Sequence, residues 1–247
     1  MITELKNKIS KGFIAALATL SIFGSMPALS SIILFEDDFS SNDLSNWSLS
    51  GGSQTWQVIN GELVTNRVPS GFRYFGINGI TTPEKFVFSV DVRNIAGASN
   101  KVSSQGHGGI FWDQTSLGID NKTYIRTHSD HLNLVSIGAG ETHAPIVADN
   151  GDTIRYTLDV DYLARELLIN ATLIAGANQG NATQISYVGN DFDTYVRSFG
   201  AGELGLLTWG DAVAFDNVRI TTVSEPWSIA MLGFGILGLS LYRRKKQ

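Results

Sequence analysis

Cysteine is absent from the 247 residues, so neither disulfides nor thiolate metal centres are available to this chain. Proline is scarce at 5, and charged residues make up only 17%. With 26 glycines and 43% hydrophobic residues, the composition is globular and rich in turns, neither disordered nor fibrous. A fold without staples depends on its core, and a domain of about 200 residues buries enough apolar surface to stand alone. Catalytic signatures are missing as well. There is no Gly-x-Ser-x-Gly elbow, no phosphate loop and no His-Glu-x-x-His.

Basic residues are thin in the middle of the chain. Lys6, Lys8 and Lys11 lie near the start, and Arg243, Arg244, Lys245 and Lys246 near the end. Setting these 7 aside from 18 bases leaves 11, and setting Glu4 and Glu225 aside from 23 acids leaves 21, a balance of −10. Nucleic acid as a partner needs clustered Lys and Arg to neutralise phosphates, and this middle excludes it. Neutral ligands or cations suit it better.

The two ends read as addresses. Lysines, an apolar stretch from Gly12 to Phe23 and then Ser-Met-Pro-Ala-Leu-Ser have the three regions of a secretory signal over residues 1–30. Ala28 and Ser30 fit the −3 and −1 positions of cleavage; a short uncleaved anchor is the alternative, and either one exports the rest of the chain. At the other end, Trp227 to Tyr242 carries no charge. As a helix it is about 24 Å long at ~1.5 Å per residue, a short transmembrane span bracketed by interfacial aromatics and backed by Arg243 and Arg244. Residues 224–247 resemble the PEP-CTERM sorting signal of Gram-negative envelope proteins. That signal has a Pro-Glu-Pro tripeptide, a Gly- and Leu-rich span and an Arg-rich end; here the tripeptide is Ser224-Glu225-Pro226, with serine for the first proline. The resemblance implies an exosortase as processing partner, a transient stay in the inner membrane, and a final place in the cell envelope or outside it.

Between residues 31 and 223 the signal is β-strand, and it predicts one domain. KFVFSVDVR alternates with Phe86, Phe88, Val90 and Val92 on one face; TIRYTLDVDY does so with Ile154, Tyr156, Leu158 and Val160. Such period-two patterning means strands with one wet side. TWQVINGELVT holds Asn60-Gly61 between apolar runs, a strong hairpin signal. Further strands are expected at 72–77, 109–112, 123–126, 132–137, 166–174, 185–188, 204–208 and 213–221, about a dozen in all, with no helix of useful length. The expected fold is all-β, a two-sheet antiparallel jelly-roll sandwich.

Three stretches resemble the concanavalin-A-like jelly rolls of the laminin-G and family 16 glycoside hydrolase type. They are FEDDFSSNDLSNWSLSGGSQTWQVINGELV at the start, GGIFWD with TYIRTH in the middle, and GELGLLTWGDAVAFDNVRIT at the close. Family 16 hydrolases carry Glu-x-Asp-x-x-Glu, two of whose carboxylates act about 5–5.5 Å apart. Here Glu36 and Asp38 are followed by Ser41, and Asp159 and Asp161 by Ala164, where the last acid belongs. Serine does not protonate a glycosidic oxygen as a carboxylic acid does, which argues against that mechanism.

What remains is binding. Sugars offer apolar faces and polar edges, which aromatic platforms beside planar hydrogen-bonding groups match. Trp112, Trp209, Tyr124, Arg126 and Asp211 are the candidate ligand-binding residues, with Tyr74 a further one; Trp47 and Trp56 read as core. Glu36 and Asp38 near the first strand and Asp216 near the last are candidate calcium ligands if those strands are neighbours. His128 and His131 flank Asp130 in a polar loop with no evident third metal ligand. The reading is an exported, non-enzymatic jelly roll that binds polysaccharide. Its alternatives are a glycan hydrolase or lyase with a non-standard site, and a purely structural surface protein.

Overall fold

In the computed structural model, residues 31–50, 56–65, 72–96, 108–114, 123–128, 130–136, 140–196, 202–210 and 212–223 are described. They form fifteen strands and one short helix, and Ile32–Thr222 makes a compact unit. The strands are β1 (Ser31–Asp37), β2 (Trp47–Ser50), β3 (Trp56–Ile59), β4 (Glu62–Thr65), β5 (Phe72–Thr81), β6 (Lys85–Ala96), β7 (Gly108–Gln114) and β8 (Thr123–Thr127). They continue with β9 (His131–Ser136), β10 (Gly140–Pro145), β11 (Thr153–Asp161), β12 (Glu166–Ala175), β13 (Ala182–Val188), the helix α1 (Asn190–Tyr195), β14 (Glu203–Trp209) and β15 (Ala212–Val223).

Two sheets result. The eight-stranded sheet runs β13-β12-β11-β6-β15-β4-β3, with β1 also on β15; the seven-stranded sheet runs β10-β9-β8-β7-β14-β5-β2. The alternation of β6 and β11 does what period two requires. Val92, Val90, Phe88 and Phe86 stand opposite Ile154, Tyr156, Leu158 and Val160, and all eight enter the core. The intervening positions face out, where Arg155 grips Asp91 through two 2.7 Å bonds and Lys85 reaches Asp161 at 2.6 Å. From the seven-stranded sheet, Phe75, Ile110, Trp112, Ile125, Leu132, Leu134, Leu204 and Leu206 close the other side of the same core. A buried side chain of this size contributes ~1.5–3 kcal/mol of transfer free energy. Trp47 stacks on Phe75 at 4.6 Å, and Trp56 on Phe75 at 4.8 Å, so both are core, as expected.

The β3–β4 hairpin turns at Asn60 and Gly61, with φ of 55° and 81°, the left-handed pair of a type I′ turn whose twist matches the flanking strands. Three elements depart from expectation, the four-residue β2 among them. Strand β10 carries Thr142 and Ala144 where apolar residues would betray a strand. It is held by its register with β9 and by Tyr187 Oη donating to Thr142 Oγ1 at 2.5 Å. Helix α1 buries only Phe192, against Tyr162 at 5.8 Å, too few apolar positions for a helical period to appear. No helix among the described residues is long and apolar enough to cross a membrane. Residues 1–30 and 224–247, with Ser224, Glu225, Pro226, Arg243 and Arg244, lie outside the described residues.

Candidate functional site

The outward face of the seven-stranded sheet is not the polar surface that a sandwich normally shows. Because Ile125, Leu132, Leu134, Leu204 and Leu206 point into the core, their neighbours in the chain point out. Those neighbours include Tyr124, Arg126, Asn133, Val135 and Leu207; Trp209 follows two residues past Leu207 in the same phase, and β5 adds Phe72 and Tyr74. Register aligns them in rows. One row runs His143, Asn133, Arg126, Gly109, Leu207, Tyr74 across six strands; the next runs Glu141, Val135, Tyr124, Phe111, Gly205, Gly76. Tyr74, Phe111, Tyr124, Val135 and Leu207 form a second apolar cluster, with Phe72 against it. Gly205 makes room for this packing. A Cβ there would fall 2.8 Å from the Phe111 ring and 2.2 Å from the Phe75 carbonyl oxygen, so any side chain would displace the ring.

The centre of the face is closed, and it opens toward the Phe72, Trp209, His128 and His131 end, where the side chains are half-buried. Phe72 meets Trp209 edge-on at 4.2 Å and Tyr124 at 5.0 Å. Between these rings lies Arg126. Its guanidinium carbon is 5.5 Å from the Phe72 ring centre, 5.6 Å from Trp209 and 5.7 Å from Tyr124. Arg126 is 8% exposed, and its Nε and Nη1 have no hydrogen-bond partner. Burial pushes its pKa below the ordinary guanidinium value, opposed by Tyr124 and by the charge of Glu141. Ring faces attract the cation but accept no conventional hydrogen bond.

Beside Arg126 on β9, the buried Asn133 donates through Nδ2 to Glu141 at 3.1 Å and meets His128 Nε2 at 3.3 Å, while its Oδ1 has no partner. Glu141 also contacts His143 at 3.4 Å. His131 stacks between His128 and His143, at 4.6 and 4.3 Å, and its Nδ1 meets Asp130 at 2.6 Å. Flat parallel rings do not converge their nitrogens on one point, and no group of three or more such side chains among the described residues could hold a metal ion.

The sequence-derived candidates divide. Tyr124, Arg126 and Trp209 are brought together. Trp112 is corrected: it is fully buried in the inter-sheet core, one residue out of phase with Phe111, and points away from this face. Asp211 lies outside the described residues. The first and last strands do pair, as the calcium reading required. Their acids are otherwise engaged, however. Glu36 faces Arg219 at 3.8 Å, Asp38 accepts from the Ser40 N–H at 3.0 Å, and Asp216 accepts from the Asn217 N–H at 2.7 Å. Burial, then the charges of Asp91, Glu62 and Asp38, raise the Asp216 pKa. The three do not form a metal cluster. Sequence reasoning missed Phe72, Asn133 and Glu141.

Several solved structures share this architecture. Lectin I of Ulex europaeus, in complex with the methyl glycoside of α-L-fucose, superposes with a TM-score of 0.60 at 12% identity, over 78% of this chain and 98% of that one. Peanut lectin superposes at 0.58 and 12% identity, over 79% and 99%. The acidic lectin of winged bean, complexed with methyl-α-D-galactose, gives 0.57 and 9%, over 79% and 100%. The fold is the lectin-like jelly roll. No protein-family model matches the chain, and neither does any curated protein sequence. At these identities the likeness concerns the fold alone, since one fold hosts many functions.

Proposed function

We propose that the protein is an exported, non-catalytic binder of polysaccharide that takes its ligand on the outer face of the seven-stranded sheet. The observation that carries this reading is the cage of Phe72, Tyr124 and Trp209 around a buried guanidinium with unsatisfied donors. Such a cage offers ring faces for the C–H side of a sugar and polar groups for its edge. The fold it shares with sugar-complexed lectins agrees with the reading. Export through residues 1–30, and processing by an exosortase at Ser224-Glu225-Pro226, complete the reading and rest on the sequence pattern.

Calorimetric titration of the full chain against bacterial and plant polysaccharides, with chromatography of the mixture afterwards, tests it. Saturable binding with no new oligosaccharide is expected. Turnover would move the protein to the hydrolase or lyase class, and no binding to any glycan would leave a structural surface protein.

A further inference from the structure

Every other described arginine has been given an oxygen. Arg93 is paired with Glu62, Arg155 with Asp91, Arg165 with Asp193 and Arg219 with Glu36, while Arg73 donates to the Phe72 carbonyl at 2.8 Å. Arg126 alone among them has no carboxylate or carbonyl partner among the described residues, and its Nε and Nη1 have no acceptor, in a chain with 23 acids to choose from. It is also the most buried of the six. Two guanidinium nitrogens removed from water and left without acceptors are costly to the fold, and such groups persist where something outside the fold completes them. The acid nearest in effect, Glu141, is tied to Asn133 and His143 and makes no ion pair with Arg126.

We propose that the glycan is acidic, the local site outweighing the acidic balance of the chain's middle, which by itself suits neutral ligands or cations, and that Arg126 receives an anionic oxygen group of one sugar residue while Asn133 Oδ1 accepts a neighbouring hydroxyl. The inference rests on the polysaccharide-binding reading and sharpens it. Arg126 and Asn133 are directly opposite in the β8–β9 register, so an unfilled donor set and an unfilled acceptor stand side by side. A neutral sugar fills the acceptor but brings no anion to the two unpartnered guanidinium donors; an anion alone fills the donors but leaves the acceptor. A saccharide bearing both groups on adjacent carbons satisfies the two together. The three aromatic rings exclude water around this contact, which strengthens a charge-assisted hydrogen bond.

The chemistry has two sources, a sugar carboxylate or a sugar sulfate, and the experiment separates them. The full chain is titrated with oligogalacturonate, with the same oligosaccharide after its carboxyls are reduced to alcohols, and with a sulfated galactan oligomer. At least one anionic ligand is expected to bind about 10- to 100-fold more tightly than the reduced one, and the tighter of the two names the source. Arg126→Met should abolish the preference for the charged ligand, while Arg126→Lys should retain part of it. Equal affinity for charged and reduced ligands overturns the proposal but leaves polysaccharide binding standing. Absence of binding in all three arms, with binding to other glycans intact, likewise overturns it; absence with every glycan removes the underlying reading as well. Should Arg126→Met fail to fold, the wild-type comparison of charged and reduced ligands decides alone.

Discussion

The two tryptophans that look alike in the sequence should behave oppositely when removed. Trp112 is fully buried between the sheets, so Trp112→Ala leaves a cavity and should cost stability. The usual range for losing a buried aromatic is about 3–5 kcal/mol. Its indole Nε1 has no hydrogen-bond partner, so deleting the ring also deletes an unsatisfied donor, which places the loss near the low end, about 3 kcal/mol. For a unit of the size of Ile32–Thr222, that lowers Tm by about 6–12 °C. Trp112→Phe, which keeps most of the ring and removes the orphaned N–H, should cost less than half as much. Trp209 sits at the end of β14, half-buried against Phe72 at 4.2 Å. Trp209→Ala should cost about 1 kcal/mol of stability and weaken glycan binding about tenfold or more, as an exposed aromatic anchor does. Urea denaturation gives the first quantity, and titration at a temperature where both variants are folded gives the second. Equal loss of affinity per folded molecule in both variants would show that the faces have been assigned wrongly.

Two further outcomes rest on the packing and charges. Thr127 Oγ1 and Tyr156 Oη share a buried 2.8 Å hydrogen bond across the sandwich, and burial raises the Tyr156 pKa above the ordinary phenol value. Tyr156→Phe and Thr127→Val should each cost ~1–2 kcal/mol and the double variant little more than either, whereas fully additive losses in urea melts would mean that the bond is not made. For Asp161, burial pushes its pKa up, but the Ala164 N–H at 2.7 Å and Lys85 together hold it below its ordinary 3.8. A depressed carboxylate stabilises the fold above its unfolded pKa, and this is lost as pH falls through the folded value. Stability should therefore decline from just above pH 3.8 downward. Asp161→Asn should flatten that decline and cost ~1 kcal/mol at pH 7, modest because Lys85 is partly in water; an unchanged acid limb in the variant would rule the group out as its source.

Much of the sandwich was legible where one sheet face is wet. Strands β6 and β11 have water on one side, so Phe86 to Val92 and Ile154 to Val160 alternate without a break, and even their inward phase could be read. Asn60-Gly61 announced its hairpin because only such residues accept two left-handed conformations cheaply. Strand β10 stayed hidden for the opposite reason. Its inward side chains are Thr142 and Ala144, and its place comes from pairing with β9 rather than from its own apolar content.

The candidate site was half legible, and the missing half has one physical cause. In the central strands of the seven-stranded sheet both faces are apolar: Tyr74-Phe75, Ile110-Phe111-Trp112, Tyr124-Ile125 and Leu206-Leu207 place large side chains on adjacent positions. A strand covered on both sides loses its alternation, and with it the phase that tells inside from outside. Trp112 was assigned to the wrong face for this reason, since Phe111 beside it is equally apolar and Gly108-Gly109 before it carry no side chains to set the phase. Trp209 escaped the ambiguity because Thr208 precedes it, and Arg126 because a cation between Ile125 and Thr127 cannot belong to the core. Four such runs in one sheet are themselves a signal. They mark an outer face that is apolar at its centre, and the unpartnered Nε and Nη1 of Arg126 within it are the reason for proposing that its ligand carries negative charge.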